Sequence, residues 1–253
     1  MDWSDDGIVL SARPHGESGV ILALLTPGHG RHLGLVRGGT SRRLRGVLQP
    51  GNGVRASWRA RLADHLGSYT VELQCGRAGS AMEDPFALAG LAAACAVASI
   101  VPEREAHPAL YEGFELVLDA LEEPDIWPAL LVRWELGLLQ ELGFGLDLSA
   151  CAATGARGDL IYVSPKSGRA VSRIGGEPYK DRLLALPGFL AGAQAGAAGA
   201  PAAGIMATAG DINDGLRLTG IFLERHLFGP AMGHLPDARI RLAAHLMARA
   251  KAA

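Results

Sequence analysis

Apolar and polar residues alternate with two different periods along this chain. In the first 80 residues, short apolar runs are separated by turns rich in glycine and proline, a pattern that is typical of β-strands. Strands at this spacing predict a five-stranded closed barrel of OB-fold size over residues 1–80. The predicted strands cover residues 7–12, 20–26, 31–36, 54–62 and 69–75.

The period changes to that of helices after residue 80. Asp84 is a good N-cap residue, and Pro85 follows it at the first helical position. Apolar residues then recur three and four positions apart, which predicts a helical domain over residues 81–253. Further helices are predicted from Leu110, from Pro128, from Asp214 and after Pro236.

Two segments interrupt the helical pattern. Residues 149–176 are loop-like and contain two short β-type runs around a Ser-Pro-Lys-Ser-Gly turn, so we predict a small β-hairpin insert. Residues 191–204 are nearly all alanine and glycine, and we expect them to form a flexible segment because they lack large apolar groups. The predicted fold class is therefore α+β: a five-stranded OB-fold barrel followed by an all-α domain with a hairpin insert.

Composition excludes several classes of protein. No run approaches the ~20 apolar residues of a membrane span, and the acidic start lacks the positive region of a signal peptide. The three cysteines, Cys75, Cys95 and Cys151, form neither a disulfide framework nor a complete metal site. We therefore expect a cytoplasmic protein that does not contact a membrane.

Charge is distributed unevenly along the chain. Residues 1–80 hold ten basic and six acidic residues, a net charge of +4, whereas residues 81–253 hold fourteen and twenty, a net charge of −6. Between Ser18 and Asp64 there is no acidic residue at all. Such a one-signed block attracts polyanions, and guanidinium groups bind phosphate oxygens in pairs. The eight arginines of this block are the predicted nucleic-acid-binding residues: Arg31, Arg37, Arg42, Arg43, Arg45, Arg55, Arg59 and Arg61.

Glycine, serine and threonine predict a flexible loop from Arg37 to Arg45, on which three arginines would contact phosphates. The other arginines would line the barrel face beside it. Trp58 lies among them and is open to two interpretations, a base-stacking residue or a core residue. Strand alternation places Trp58 on the opposite face of the strand from Arg55, Arg59 and Arg61, which favours the core.

Several short sequences recur in the order and spacing of a known family. The first 50 residues contain Gly7-Ile8-Val9-Leu10, His15-Gly16-Glu17-Ser18, Leu-Leu-Thr-Pro-Gly-His-Gly over 24–30, and Leu48-Gln49-Pro50. The helical part contains Glu135-Leu136-Gly137-Leu138-Leu139, Leu142-Gly143-Phe144 and Leu146-Asp147-Leu148. In these segments, and over most of its length except residues 189–210, the chain resembles the RecO family of bacterial recombination mediators.

The resemblance implies an N-terminal OB-fold, a C-terminal helical domain, binding of single- and double-stranded DNA, strand annealing, and loading of recombinase onto DNA coated by single-stranded-DNA-binding protein. The implied partners are RecR and the C-terminal tail of that coating protein, and the implied location is the nucleoid within the cytoplasm. Many relatives carry a zinc site of two Cys-x-x-Cys pairs. Here Cys151 stands where the first pair would begin, Thr154 stands in place of its second cysteine, and both cysteines of the second pair are missing. One thiolate cannot hold structural zinc, so we predict no metal and no cofactor.

No motif assembles into a catalytic site, and we predict that the protein is not an enzyme. Gly38-Gly39-Thr40-Ser41 is not an ATP-binding loop, and the histidines lack a metal-ligand spacing. Two alternatives remain open: an OB-fold protein associated with RNA or the ribosome, which the same arginines would serve, and a nuclease, which would need carboxylates near the basic block. The oligomeric state does not follow from the sequence.

Overall fold

A computed structural model describes residues 1–191 and 207–252 of the chain. The chain forms two compact units, Met1–Glu122 and Glu123–Ala253. The predicted boundary after residue 80 marks the change from strands to helices, and the first compact unit also includes the helices that directly follow the barrel. Of the predicted flexible segment 191–204, all but Ala191 lies outside the described residues.

Five strands form a closed barrel in the first unit. Their order around the barrel is β1-β2-β3-β5-β4, with β3 and β5 parallel and the other neighbours antiparallel. The strands are β1 Asp2–His15, β2 Gly19–Thr26, β3 Gly30–Val36, β4 Gly53–Arg59 and β5 Ser68–Cys75. This is the OB-fold, and the prediction of a five-stranded barrel is confirmed.

Alternate residues of each strand fill the barrel. On β2, Val20, Leu22 and Leu24 point inward and are buried, as the period of two requires. A short helix between β3 and β4, α1 (Arg42–Val47), packs Leu44 and Val47 against the same core. Burial of these side chains stabilises the barrel by about 1.5–3 kcal/mol for each large residue.

Strand β1 is longer than its apolar run predicts. It begins at Asp2, and its first half pairs with β4 in a register that places Trp3 opposite Trp58. The acidic residues Asp2 and Asp6 face solvent in this half, which is why the hydrophobic pattern did not reveal it. The hydrophobic pattern predicted only the second half of β1. It therefore gave no sign that Asp2 and Asp6 lie opposite arginines of β4.

Three helices complete the first unit: α2 Arg77–Ala81, α3 Pro85–Ala98 and α4 Pro108–Asp119. Asp84 caps α3 as predicted, because its carboxylate accepts the Phe86 amide hydrogen bond at 2.9 Å. Helices α3 and α4 contact β1 and β2. Ile8 and Leu10, which alternate with the inward-pointing Val9, are consequently buried as well.

The second unit is helical and contains a small sheet, as predicted. The sheet has the order β7-β6-β8, so the predicted hairpin gains a third strand whose two residues are too few to give a periodic signal. The elements are α5 Trp127–Glu141, β6 Leu160–Val163, β7 Ala170–Ser172, α6 Arg173–Gly176, β8 Leu184–Ala185, α7 Ala209–Leu223, α8 Gly229–Met232 and α9 Asp237–Ala252. Within residues 1–191 and 207–252, no helix is long and apolar enough to cross a bilayer.

A fully buried ion pair joins three helices of this unit. Arg239 of α9 donates two hydrogen bonds to the Glu135 carboxylate of α5, at 2.5 and 2.9 Å, and both side chains are almost inaccessible to solvent. Thr219 of α7 donates its hydroxyl to the same carboxylate. Arg239 also donates to the carbonyl of Leu216 at 3.0 Å, so both charged groups are well satisfied by hydrogen bonds.

Candidate nucleic-acid interface

Three of the eight predicted arginines contact groups that lie outside the acid-free block. Arg31 donates to the carbonyl of Val101 and pairs with Glu103 at 3.2 Å. The register of β1 with β4 brings Asp6 opposite Arg55 and Asp2 opposite Arg59, forming ion pairs of 3.2 and 3.7 Å. These last two arginines remain 45% and 81% exposed, so the pairs are weak and open to exchange.

The other five arginines are exposed and form no ion pair with any residue in the described part of the chain. They project from α1, from the end of β3 and from the β4–β5 loop, which we define as residues 61–67. The positive potential of the barrel therefore comes mainly from these residues rather than from the whole block. They are Arg37, Arg42, Arg43, Arg45 and Arg61.

The segment that carries three of these arginines is an amphipathic helix, so the prediction of a flexible loop through Arg45 is wrong. The side chain of Ser41 caps α1 by accepting the Leu44 amide hydrogen bond at 3.4 Å. Leu44 then packs against the barrel core, which leaves Arg42, Arg43 and Arg45 exposed to solvent. The fold thus anchors the arginines on a helix instead of presenting them on a loose loop.

Backbone hydrogen bonds from the end of β3, and from the turn between β3 and α1, reach two neighbouring loops. The Leu35 amide donates to the carbonyl of Gly67 in the β4–β5 loop at 3.1 Å, and the Thr40 amide donates to the carbonyl of Ser18 in the β1–β2 turn at 3.3 Å. Arg37 lies between these two hydrogen bonds in sequence. The residue two positions before Arg37 is thus bonded to the β4–β5 loop, and the residue three positions after it to the β1–β2 turn.

Arg13 is an exposed arginine that the sequence analysis did not select. The strand register aligns it with Ile21 on β2, and Ile21 with Leu35 on β3. This row lies on the outer face of the barrel and leads to Arg37, two residues beyond Leu35 on the same face. Glu17 separates Arg13 from the acid-free block, so a search for runs of one charge sign does not include Arg13. Only the pairing of β1 with β2 places Arg13 beside the residues of the block.

Trp58 is a core residue. Its side chain is buried, its indole Nε1 donates to the Leu66 carbonyl at 3.0 Å, and its ring lies 5.8 Å from that of Trp3. It is therefore not available to stack on a base. Trp3 is partly exposed, and its ring stacks on that of His29 at a centroid distance of 3.9 Å.

A buried histidine and tyrosine share a hydrogen bond inside the barrel. The Tyr69 hydroxyl and the His32 Nδ1 atom are 3.0 Å apart. Burial and, to a smaller extent, the nearby Arg104 together lower the pKa of His32 from 6.5 to about 4. Burial also raises the pKa of Tyr69. Both rings are therefore neutral at physiological pH and serve the packing of the barrel.

The insert of the second unit converges on Cys151. Its sulfur accepts hydrogen bonds from the Ser172 amide and hydroxyl at 3.2 and 3.3 Å, and a Cβ on Gly175 would lie 3.1 Å from it. Burial raises the pKa of the thiol, but the hydrogen bonds from Ser172, Thr154 and Ala153 outweigh burial and lower the pKa from 9.0 to about 6. Hydrogen bonds thus join the two halves of the insert.

Metal ligands are sparse around this sulfur. Thr154 lies three residues after Cys151, and Gly175 lies three residues after Ser172, which bonds to the Cys151 sulfur. In the described ranges, no three histidine, cysteine or acidic side chains are grouped to hold a metal ion. The absence of a metal remains a prediction, and the observed hydrogen bonds explain how the insert is held by its own groups.

Four arginines after residue 80 are candidates, from the sequence, for binding the acidic tail of a protein partner: Arg104, Arg133, Arg217 and Arg225. Arg104 donates to the carbonyls of Asp64 and His65 within the first unit. Arg225 donates to the Pro165 carbonyl. Arg217 is exposed, and Arg133 on α5 is half-buried without an ion pair to any described residue. Burial lowers the pKa of Arg133, so a negatively charged group beside it would be stabilising.

Comparison with known proteins decides the family. The family model of the N-terminal part of recombination protein O matches residues 1–74, and the model of its C-terminal part matches residues 82–236. The chain belongs to the RecO family. The resemblance found in the sequence is thereby confirmed over both the barrel and the helical part.

Relatives with the same family name match nearly the whole chain. The DNA repair protein RecO of Methylobacterium nodulans is 55% identical and the alignment covers 94% of this chain and 95% of the relative. The RecO protein of Rhodospirillum rubrum is 53% identical, with 97% and 96% covered. That of Phenylobacterium zucineum is 54% identical, with 96% of each chain covered.

Proposed function

We propose that this RecO-family chain binds single- and double-stranded DNA without sequence specificity, anneals complementary strands, and helps to load recombinase onto DNA coated by single-stranded-DNA-binding protein. The observation that carries the proposal is the set of five exposed arginines, on α1, at the end of β3 and on the β4–β5 loop, that have no acidic partner among the residues the structure describes. The names of the relatives, which are DNA repair proteins, support a DNA ligand over RNA.

The proposed mechanism is electrostatic. Arg42, Arg43 and Arg45 would contact phosphates from the anchored helix α1, and Arg37 and Arg61 would extend the contact along the barrel. Phosphate contacts carry no base information, so the bound strands keep their bases free to pair. Neutralised phosphates also reduce the repulsion between two complementary strands, which favours annealing.

The three paired arginines take a secondary part in this proposal. Arg55 and Arg59 would have to exchange Asp6 and Asp2 for phosphate, which weak exposed ion pairs permit. Arg31 is less available because its guanidinium contacts both Val101 and Glu103. We therefore rank Arg31 last among the eight predicted residues.

The protein would act by binding rather than by catalysis, without a cofactor, on chromosomal DNA in the cytoplasm. Its partners would be RecR and the C-terminal tail of the coating protein. For the tail, Arg133 is the favoured contact among the four candidate arginines, since it combines partial burial with the lack of an acidic partner in the described residues. A peptide carboxylate there would form a charge-assisted hydrogen bond.

Annealing of complementary oligonucleotides coated with single-stranded-DNA-binding protein tests this function. The wild-type chain should accelerate annealing without nucleotide or metal, and the R42A/R43A/R45A variant should lose at least about tenfold in rate, because several phosphate contacts are removed at once. The charge-matched control R157A/R182A/R241A replaces exposed arginines of the second unit and should anneal like the wild type.

Two results would contradict the proposal. Equal annealing rates for the wild type and the R42A/R43A/R45A variant would show that the arginines of α1 take no part in annealing. A preference for RNA competitor over DNA of the same sequence would instead support the alternative of an RNA-associated OB-fold protein.

A further inference from the structure

Asn52 lies between two helices of the first unit and bonds to both of them. The residue is buried, with 2% of its surface exposed. Its Nδ2 group donates to the carbonyls of Gly46 and Val47 at the end of α1, at 2.8 and 3.2 Å. Its Oδ1 atom accepts the Ala78 amide at the start of α2, at 3.0 Å. One side chain thus satisfies carbonyls at the end of one helix and an amide at the start of the next.

Asn52 supplies hydrogen bonds that the cap residues of these two helix ends do not. The N-cap residue of α2 is Gly76, which makes no side-chain cap hydrogen bond. The C-cap residue of α1 is Leu48, and its amide bonds to the Leu44 carbonyl rather than to the last carbonyls of the helix. A helix of six residues is also too short to persist without tertiary contacts. The groups bonded to its ends therefore fix the position of α1.

The backbone around Asn52 is attached to the barrel. The Asn52 carbonyl accepts the Val9 amide at 2.9 Å, and the Gly51 amide donates to the Val9 carbonyl at 2.8 Å. Gly51 has a φ of +88°, and a Cβ at this position would overlap the Leu91 side chain of α3. Strand β1 and helix α3 thus hold the segment on which Asn52 lies, and its amide reaches α1 from a fixed support.

We propose that Asn52 is the positioning residue of helix α1 and holds the three arginines of this helix in one arrangement before DNA binds. The proposal rests on the proposed function, since it requires that these arginines contact phosphates. A helix that is already ordered loses little conformational entropy on binding, whereas a loosened helix has to be ordered at a cost in affinity. Asn52 therefore contributes to DNA affinity although it is too deeply buried to contact DNA itself.

Two substitutions separate the bonds to α1 from the bond to α2. Asn52→Asp keeps an oxygen that can accept the Ala78 amide, but it replaces the Nδ2 donor by a second oxygen, which repels the carbonyls at the end of α1. Asn52→Ala removes the bonds to both helices. If the donor to α1 is the group that matters, both variants should weaken DNA binding.

Hydrogen exchange of the folded full chain measures the order of α1 without DNA. The Arg45 amide donates to the Ser41 carbonyl and the Leu48 amide to the Leu44 carbonyl, both at 2.9 Å. In Asn52→Ala these two amides should exchange at least about tenfold faster than in the wild type, because two bonds that close the end of the helix are lost.

Thr26→Val is the matched control for a loss of stability alone. Thr26 is also fully buried in the first unit, and its hydroxyl donates to the Gly30 carbonyl and accepts the His29 amide, at 3.1 Å each. The substitution should lower the midpoint of urea unfolding but leave exchange in α1 and DNA affinity unchanged. If Asn52 served only the stability of the barrel, Asn52→Ala and Thr26→Val would behave alike.

Anisotropy titrations with a fluorescent oligonucleotide across a salt series test the effect on DNA, with circular dichroism showing that each variant is folded. Asn52→Ala and Asn52→Asp should bind about five- to tenfold more weakly with an unchanged salt slope, because the arginines still reach phosphates once the helix is ordered. The R42A/R43A/R45A variant should instead make the slope shallower. Adding Asn52→Ala to this triple variant should cause no further loss, because the helix no longer carries the contacts.

The results separate this inference from the proposed function. If R42A/R43A/R45A loses affinity while Asn52→Ala binds like the wild type, the inference is overturned and the function stands. Wild-type affinity of Asn52→Asp would assign the effect to α2, and additive losses in the combined variant would place it outside α1; either result overturns the inference. If the wild-type chain binds no DNA at low salt, both proposals fail.

Discussion

At the scale of single residues, the partner that the fold brings to a side chain decides what that side chain does. Arg31 and Arg42 are equivalent in the sequence, as members of the same acid-free block. In the fold, Arg31 contacts Glu103 and Val101, whereas Arg42 projects from α1 without an acidic partner among the described residues. Trp58 is a second example. A base-stacking role would require its side chain at the surface, but the barrel buries it.

His32 makes the barrel sensitive to acid. Its pKa is lowered to about 4 by burial and by Arg104, whereas an unfolded histidine titrates near 6.5. Between these values the unfolded chain binds more protons, so the free energy of unfolding should fall by about 2–3 kcal/mol as the pH drops from 6.5 to 4. Urea unfolding followed by tryptophan fluorescence at several pH values measures this loss.

The variant His32→Gln should remove most of that pH dependence, because glutamine can bond to Tyr69 but does not titrate. The exposed His15→Gln is the matched control and should keep the wild-type dependence. A wild-type loss that persists in His32→Gln would assign the acid sensitivity to other groups.

At the scale of elements, strands and helices with a clear period were predictable and those without one were not. Strands β2, β3 and β5 start within one residue of their predicted positions. Helix α1 was missed because six residues rich in arginine and glycine show too little period. The start of α7 lies at Ala209 rather than near Asp214, because Thr208 and Asp211 form a capping box.

The buried pair of Glu135 and Arg239 should be critical for packing α5 against α9. Glu135→Gln leaves the Arg239 guanidinium buried without a counter-charge, and we expect it to lower the free energy of unfolding by about 3–5 kcal/mol. The midpoint of urea unfolding, followed by circular dichroism, measures the change.

Two controls sharpen that experiment. Arg241→Ala, on the exposed side of the same helix, should leave the midpoint unchanged. The double variant E135L/R239M removes both charges and should cost less than Glu135→Gln alone. If the double variant is the less stable of the two, the hydrogen bonds to Thr219 and Leu216 matter more than the unpaired charge.

At the scale of the whole molecule, the number of arginines without acidic partners sets the salt dependence of DNA binding. The block of eight predicts five to seven phosphate contacts, and hence a log–log slope of about −4 to −6. Five of these arginines have no ion pair within residues 1–191 and 207–252, which lowers this expectation to about −3 to −5. Anisotropy titrations from low to moderate salt measure the slope.

Paired and unpaired arginines should differ in this measurement. The R37A/R61A variant should make the slope shallower by about 1 to 2, because two phosphate contacts are lost. The R55A/R59A variant removes two arginines that are already paired with Asp6 and Asp2 and should change the slope by less. Equal changes in both variants would mean that the ion pairs open freely on binding.

The local pattern of this sequence determined the barrel of short strands, the change to helices after residue 80, the hairpin insert and the family, because periods of two and 3.6 and turn residues are properties of neighbouring positions. Tertiary structure alone decided which arginines stay unpaired, which carbonyls hold the β4–β5 loop, and which charges are buried. These outcomes depend on strand register and helix packing between residues far apart in the chain, such as Asp6 with Arg55 or Glu135 with Arg239. A local pattern contains no information about such pairs.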